Sequence, residues 1–98
     1  MQIDFMQEIG VPAYMELLAE EASELAQASL KFARKIRGEN PTPRRSDEIY
    51  DNLAEEIADV LILVDNLAEK DPEFKKVIID FMLYKRRRFA DRLKRRQK

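Results

Sequence analysis

Apolar residues return at every third or fourth position through three long segments of the chain, which points to amphipathic helices. The first segment carries Tyr14, Leu17, Leu18, Leu25, Ala28, Phe32 and Ile36, with Glu21 falling in the same stripe. The second carries Ile49, Leu53, Ile57, Val60, Leu61, Val64 and Leu67, and the third Phe74, Val77, Ile78, Phe81, Met82, Phe89 and Leu93. No stretch alternates with the two-residue period of a half-buried strand. The punctuation fits the same division. Pro12 suits a first helical position, and Gly38 followed by Pro41 and Pro43 ends the first helix. Ser46 is the expected N-cap of the second, with Asp47 and Glu48 in its first turn, where the helix dipole favours acids. Asp71-Pro72-Glu73 reads as cap, first helical residue and first-turn acid of the third. The expectation is an all-α fold and a single domain over residues 1–98, with a lead-in at 1–11 and a basic tail at 94–98.

Three long helices in 98 residues bury little core by themselves. The run Leu61-Ile62-Leu63-Val64 also makes both faces of the second helix apolar. Oligomerisation, as a homodimer or homotetramer, is the expected way to complete the helical bundle. Charged residues make up 38% of the chain, and no apolar run is long enough to cross a membrane. Met1-Gln2-Ile3-Asp4 lacks the basic-then-apolar pattern of a secretion signal. With no cysteine there are no disulfides, and a cytoplasmic location is expected. The absence of both His and Cys also removes Ser-His and Cys-His nucleophilic pairs and the usual zinc ligands. Any chemistry falls to carboxylates, Lys, Arg, Tyr or a bound metal.

The carboxylates are the informative group. Glu21 and Glu24 are three residues apart, as are Glu56 and Asp59. That spacing makes each pair neighbours on a helix surface. Each pair sits mid-helix beside the apolar stripe, so antiparallel packing of the first two helices brings four acids together. Like charges in a half-buried site raise one another's pKa until protons or cations are taken up. Mg²⁺, with Mn²⁺ as a substitute, is the economical cation, because it takes carboxylate oxygens, waters and substrate phosphates. Acid pairs at this spacing also decorate solvated faces of charged helices. Glu20 and Glu55, adjacent in sequence, are expected to face solvent.

Charge is distributed unevenly. Residues 85–98 hold nine Lys and Arg against Asp91 alone, a net of +8, so the preceding 84 residues carry −9. Lys85, Arg88 and Arg92 share a helix face and offer cations to polyphosphate oxygens, with Arg able to bind in a bidentate manner. A solvated basic helix end gives the same pattern.

The order of these motifs resembles the MazG-like, all-α nucleoside triphosphate pyrophosphohydrolases, whose pattern is E-x-x-E, a spacer, then E-x-x-D. Here it reads Glu21-Ala22-Ser23-Glu24 and Glu56-Ile57-Ala58-Asp59, flanked by "LAEEASELAQASLK" and "NLAEEIADVLILVD". "RGENPTP" is similar to the loop of small, phage-associated members, and "YKRRRFADRL" to the later K-x-x-R segment. The likeness runs from about Tyr14 to Leu93, with a longer spacer between Glu24 and Glu56 than many members have. It implies hydrolysis of a nucleoside triphosphate to monophosphate and pyrophosphate. Glu21, Glu24, Glu56 and Asp59 would hold one or two Mg²⁺ ions, and Lys85, Arg88 and Arg92 would hold phosphate oxygens. A Mg²⁺-activated water would attack the α-phosphorus.

Tyr14, Phe32, Tyr50, Phe81 and Tyr84 are the aromatic candidates for stacking on a base, and Asn52 and Asn66 for reading its edge; core packing is the competing use of each aromatic. The alternative function is a non-enzymatic helical module that binds nucleic acid or nucleotide through the basic C-terminal helix. The acidic body argues against nucleic acid as the partner, since it repels phosphates unless metal intervenes.

Overall fold

The computed structural model describes residues 5–38 and 46–97. The described residues form four helices: α1 (Phe5–Ile9), α2 (Val11–Arg37), α3 (Ser46–Lys70) and α4 (Pro72–Arg96). The all-α expectation holds, and three of the four helices are long. The contacts of the chain divide it into two units, residues 1–66 and 67–98. Each is described by itself.

The first unit is organised by α2 and α3. Gly10, at φ 85°, separates α1 from α2: its N–H donates to the Met6 carbonyl at 2.7 Å, and its own carbonyl accepts from Tyr14 at 3.0 Å. Only a residue without Cβ takes that backbone conformation cheaply. The lead-in therefore contains a short helix, and α2 begins at Val11, one residue before the expected Pro12. Gly38 ends α2 in the left-handed region at φ 72°, with its N–H directed to the carbonyls of Arg34 and Lys35. That satisfies groups that every helix end leaves open. Pro41 and Pro43 lie outside the described residues, as does any side-chain cap by Ser46, which is the first residue of α3.

Contacts between α2 and α3 fix their direction. Tyr14, at the start of α2, donates its hydroxyl proton to the Leu63 carbonyl near the end of α3. Asn66 Nδ2 donates to the same hydroxyl at 3.2 Å. At the other end, Phe32 of α2 meets Tyr50 of α3, with ring centroids 6.5 Å apart and planes tilted by 49°. The start of each helix thus meets the end of the other, and the pair is antiparallel. The buried centre consists of Tyr14, Ala28, Ile49 and Leu63.

Two details of the stripes differ from expectation. Ile36 is 70% exposed, because it falls in the last turn of α2 just before Gly38. On α3 the buried residues are Ile49, as expected, and Leu63, whereas Ile57 and Leu61 are 40% and 53% exposed. The Tyr14 bond turns the Leu63 side of α3 toward α2, and Ile57 and Leu61 then point away.

The second unit is built on α4. Asp71 caps it: Oδ1 accepts from the Phe74 N–H at 3.0 Å, Pro72 follows and Glu73 sits in the first turn. This is the expected start. The start of the expected basic tail is helical through Arg96, where the Gln97 N–H closes the end on the carbonyls of Leu93 and Lys94, 3.2 Å from each. Lys94, Arg95 and Arg96 in that last turn complement the negative end of the helix dipole. No residue of α4 is buried.

Candidate metal centre

The antiparallel pairing of α2 and α3 sets the two acid pairs opposite each other at mid-helix. Glu21, Glu24 and Glu56 each present a carboxylate oxygen, and these oxygens lie within 4.8 Å of one another. Asp59 stands outside that trio but lies near enough to Glu21 for its charge to raise the Glu21 pKa. Glu24 stands in the same relation to Glu56 across the two helices.

Electrostatics agree. Burial, followed by the charges of Glu24, Asp59 and Glu56, lifts the Glu21 carboxyl above its ordinary value near 4.5. Burial, then Glu24 and Asp59, does the same for Glu56. Glu21 and Glu56 are half-buried and Glu24 is exposed, so the cluster opens to solvent on one side.

One oxygen of each half-buried acid, Glu21 Oε2 and Glu56 Oε2, is shielded from solvent and makes no hydrogen bond. Such a group carries the full cost of lost hydration unless something else ligates it. A hard divalent cation is suited to it. The donors are all carboxylate oxygens, the kind Mg²⁺ and Mn²⁺ prefer. Oxygens around one Mg²⁺ lie at most about 4.2 Å apart, from bond lengths of about 2.1 Å, so the observed span needs only a modest contraction. The residues present fit the ion.

Beside the acids is an open cavity of about 190 Å³ lined by Leu17, Glu21, Asp59, Ile62 and Leu63. Two acids and three aliphatic side chains share the lining. The sequence pointed to these acids; Ile62 as a cavity wall was not foreseen. Its only sequence signal is its place in the run Leu61-Ile62-Leu63-Val64, which says that both faces of α3 are apolar but not which residue borders the site.

The remaining candidates fall elsewhere. Glu20 and Glu55 are exposed as expected. Lys85, Arg88 and Arg92 lie exposed on α4, in the second unit. The Arg88 guanidinium sits 5.8 Å from the centre of the Tyr84 ring, and that of Arg92 5.8 Å from the Phe89 ring. These are cation–π distances. Among the aromatic candidates, Tyr14 is fully buried and hydrogen-bonded, hence a core residue, and Asn66 is its partner. Phe32 and Tyr50 pack on each other, while Phe81 and Tyr84 are exposed. Asn52 is half-buried. Among the described residues no helix is long and apolar enough to cross a membrane. Compared with known protein families, curated proteins and solved structures, the chain matches none.

Proposed function

We propose that this chain is a Mg²⁺-dependent nucleoside triphosphate pyrophosphohydrolase of the MazG-like kind. The observation that carries the reading is the cluster of Glu21, Glu24 and Glu56, with two shielded oxygens that lack any partner. Glu21, Glu24 and Glu56 would hold the cation, with Asp59 beside them. When bound, Mg²⁺ supplies Lewis acidity toward a triphosphate oxygen and lowers the pKa of water.

The chain's own groups do the rest. Without a cation the Glu21 and Glu56 carboxyls lie above the ordinary carboxylate value. Glu21 or Glu24 would take the proton from the water that attacks the α-phosphorus, and pyrophosphate would leave in line. No covalent intermediate is required, in keeping with a chain that has neither His nor Cys.

The exposed basic face of α4 favours a second reading, a module that binds nucleic acid. It requires binding that weakens steeply with salt and gives the acids no role.

Purified protein is incubated with a panel of NTPs and dNTPs plus Mg²⁺. The expected products are the monophosphate and pyrophosphate. Glu56→Gln should lower turnover by about 10²-fold or more, comparable with loss of one strong electrostatic contact to a transition state, while helix content by circular dichroism stays unchanged. Orthophosphate and diphosphate as products would contradict attack at the α-phosphorus. Full turnover by the Gln variant would remove Glu56 from the mechanism.

A further inference from the structure

The seam between α2 and α3 carries two cross-helix pairs. Glu21 and Asp59 line one cavity at mid-helix, and Tyr14 meets Asn66 toward the start of α2. Seven residues separate the two pairs on each helix, close to two full turns, so both pairs lie on one face of each helix. Between them come Leu17 on α2 and Ile62 and Leu63 on α3, the aliphatic part of the cavity lining. Acids, alkyl groups and an amide therefore follow one another along the seam. On the other side of the acids the seam is occupied by buried Ala28 and by the Phe32–Tyr50 pair.

The Asn66 amide has a defined orientation. The Tyr14 hydroxyl commits its one proton to the Leu63 carbonyl, so toward Asn66 it can only accept. Asn66 must then offer Nδ2, as it does at 3.2 Å. Its Oδ1 and the second Nδ2 proton are left for another group. Tyr14 is fully buried and Asn66 half-buried, so the amide is held from the inside while part of the residue stays accessible.

We infer that Asn66 reads the edge of the substrate's nucleobase, with the pentose lying against Leu17 and Ile62. The inference rests on the reading above, which puts the α-phosphorus at the acids. The sugar is the group esterified to that phosphorus, so it is the next part of the substrate along the seam, and alkyl side chains suit its carbon face. The base follows. Helical rise sets Asn66 about 10 Å from Asp59 along α3, on the order of the reach from an α-phosphorus through the sugar to a base edge. The base would direct a donor, an exocyclic amine or a ring N–H, to Oδ1 and an acceptor to Nδ2. Bases set these groups in different places, and an amide that cannot turn over matches one arrangement best. Asn66 is therefore a specificity-determining residue, and Tyr14 holds it in the orientation that selects.

The test is calorimetric titration of the full chain, in Mg²⁺, with α,β-methylene analogues of the NTPs and dNTPs, which resist cleavage at the α-phosphorus. The wild type is expected to bind its best base about 10-fold or more tightly than its worst, the scale of one amide–base pair. Asn66→Ala should shrink that spread to about threefold or less, since the pair is gone, while Mg²⁺ alone binds as before. Ile62→Asn, at a position 53% exposed, should keep the order of the bases and weaken all of them alike, by roughly 10-fold for the lost alkyl contact. A ratio between bases does not depend on how much protein is folded, so a merely structural role for Asn66 would leave it unchanged. Equal affinity of the wild type for every base overturns the inference, as does a spread that survives Asn66→Ala. Turnover of the natural triphosphates separates the two readings. Base selectivity that depends on Asn66 in a chain that cleaves none of them would keep this inference and discard hydrolysis; cleavage to the monophosphate with selectivity unchanged in Asn66→Ala would do the reverse.

Discussion

α3 and α4 are each 25 residues long, and each carries an apolar stripe, yet their surroundings differ. α3 lies along α2, buries Ile49 and Leu63 and presents Glu56 to a cluster of acids. α4 buries no residue, and its aromatic side chains remain exposed. An apolar stripe is a demand for a partner, and burial follows only where a second surface meets it. α2 meets α3 because a specific polar contact fixes the register: the Tyr14 hydroxyl on the Leu63 carbonyl, reached in turn by Asn66. The same register opposes Glu21 to Asp59 and Glu24 to Glu56. The buried tyrosine and the acid cluster are therefore consequences of one alignment.

Truncation should expose this contrast most strongly. Tyr14 is 0% exposed, and Tyr14→Ala should cost about 3–5 kcal/mol, the range for emptying a large aromatic site in a core. Phe81→Ala on α4 removes a ring that is 58% exposed, and should cost about 1 kcal/mol or less in dilute solution. Urea unfolding of both variants checks the difference. Equal costs would mean that α4 is as tightly held as the α2–α3 pair. A Phe81→Ala cost that grows with protein concentration would sharpen the comparison, since a second copy adds its stability by mass action.

A smaller change tests the alignment itself. Tyr14→Phe keeps the ring and deletes only the hydroxyl. The Leu63 carbonyl loses its cross-helix donor, and the Asn66 amide loses its acceptor. The expected cost is about 1–2 kcal/mol, within the range for a broken buried hydrogen bond. If that bond sets the register, the variant should also bind Mg²⁺ more weakly in a calorimetric titration, although Tyr14 is not among the clustered acids. Weaker folding with unchanged Mg²⁺ affinity would confine Tyr14 to stability alone.

Parts of this arrangement were legible in the sequence because they depend on local chemistry. Gly38 ends a helix where any L residue would be strained, and Asp71-Pro72 starts one by capping; both signals act within a few residues. The acid pairs were legible because three-residue spacing makes neighbours on any helix, and only antiparallel pairing was needed to oppose them. What stayed hidden depends on rotation about the helix axis. The stripe on α3 suggested Ile57 and Leu61 as inward residues, but periodicity does not choose between two apolar faces of one helix. The choice was made by a hydroxyl at Tyr14 and a carbonyl at Leu63, 49 residues apart. The buried Tyr14 also shows why aromatic residues were poor guides to a base-binding pocket: a ring with a polar tip serves a core as readily as a ligand.

The smallest expected effect is also the one that separates the acid cluster from an ordinary charged surface. In the folded chain Glu21 and Glu56 hold their protons to higher pH than their ordinary value near 4.5. The folded state therefore binds more protons than the unfolded state between the ordinary and the raised values, and stability falls as pH climbs through that window. Below the ordinary value this penalty is absent; above the raised values it is complete. Glu56→Gln removes one charge from the cluster, so the metal-free variant should melt above the wild type at neutral pH, with the gap closing as pH falls toward the ordinary carboxylate value. Mg²⁺ should act in the opposite direction on the wild type: it raises the melting temperature most at neutral pH, loses its effect in acid as protons take its place, and does less for the Gln variant at every pH. α4 offers the control, since a charge removed there by Asp80→Asn should shift melting little and leave the Mg²⁺ response unchanged. If the Glu56→Gln melting curve followed the wild type at all pH values, with and without Mg²⁺, these acids would be behaving as solvated surface charges, and the distinction between the two regions would reduce to one of packing.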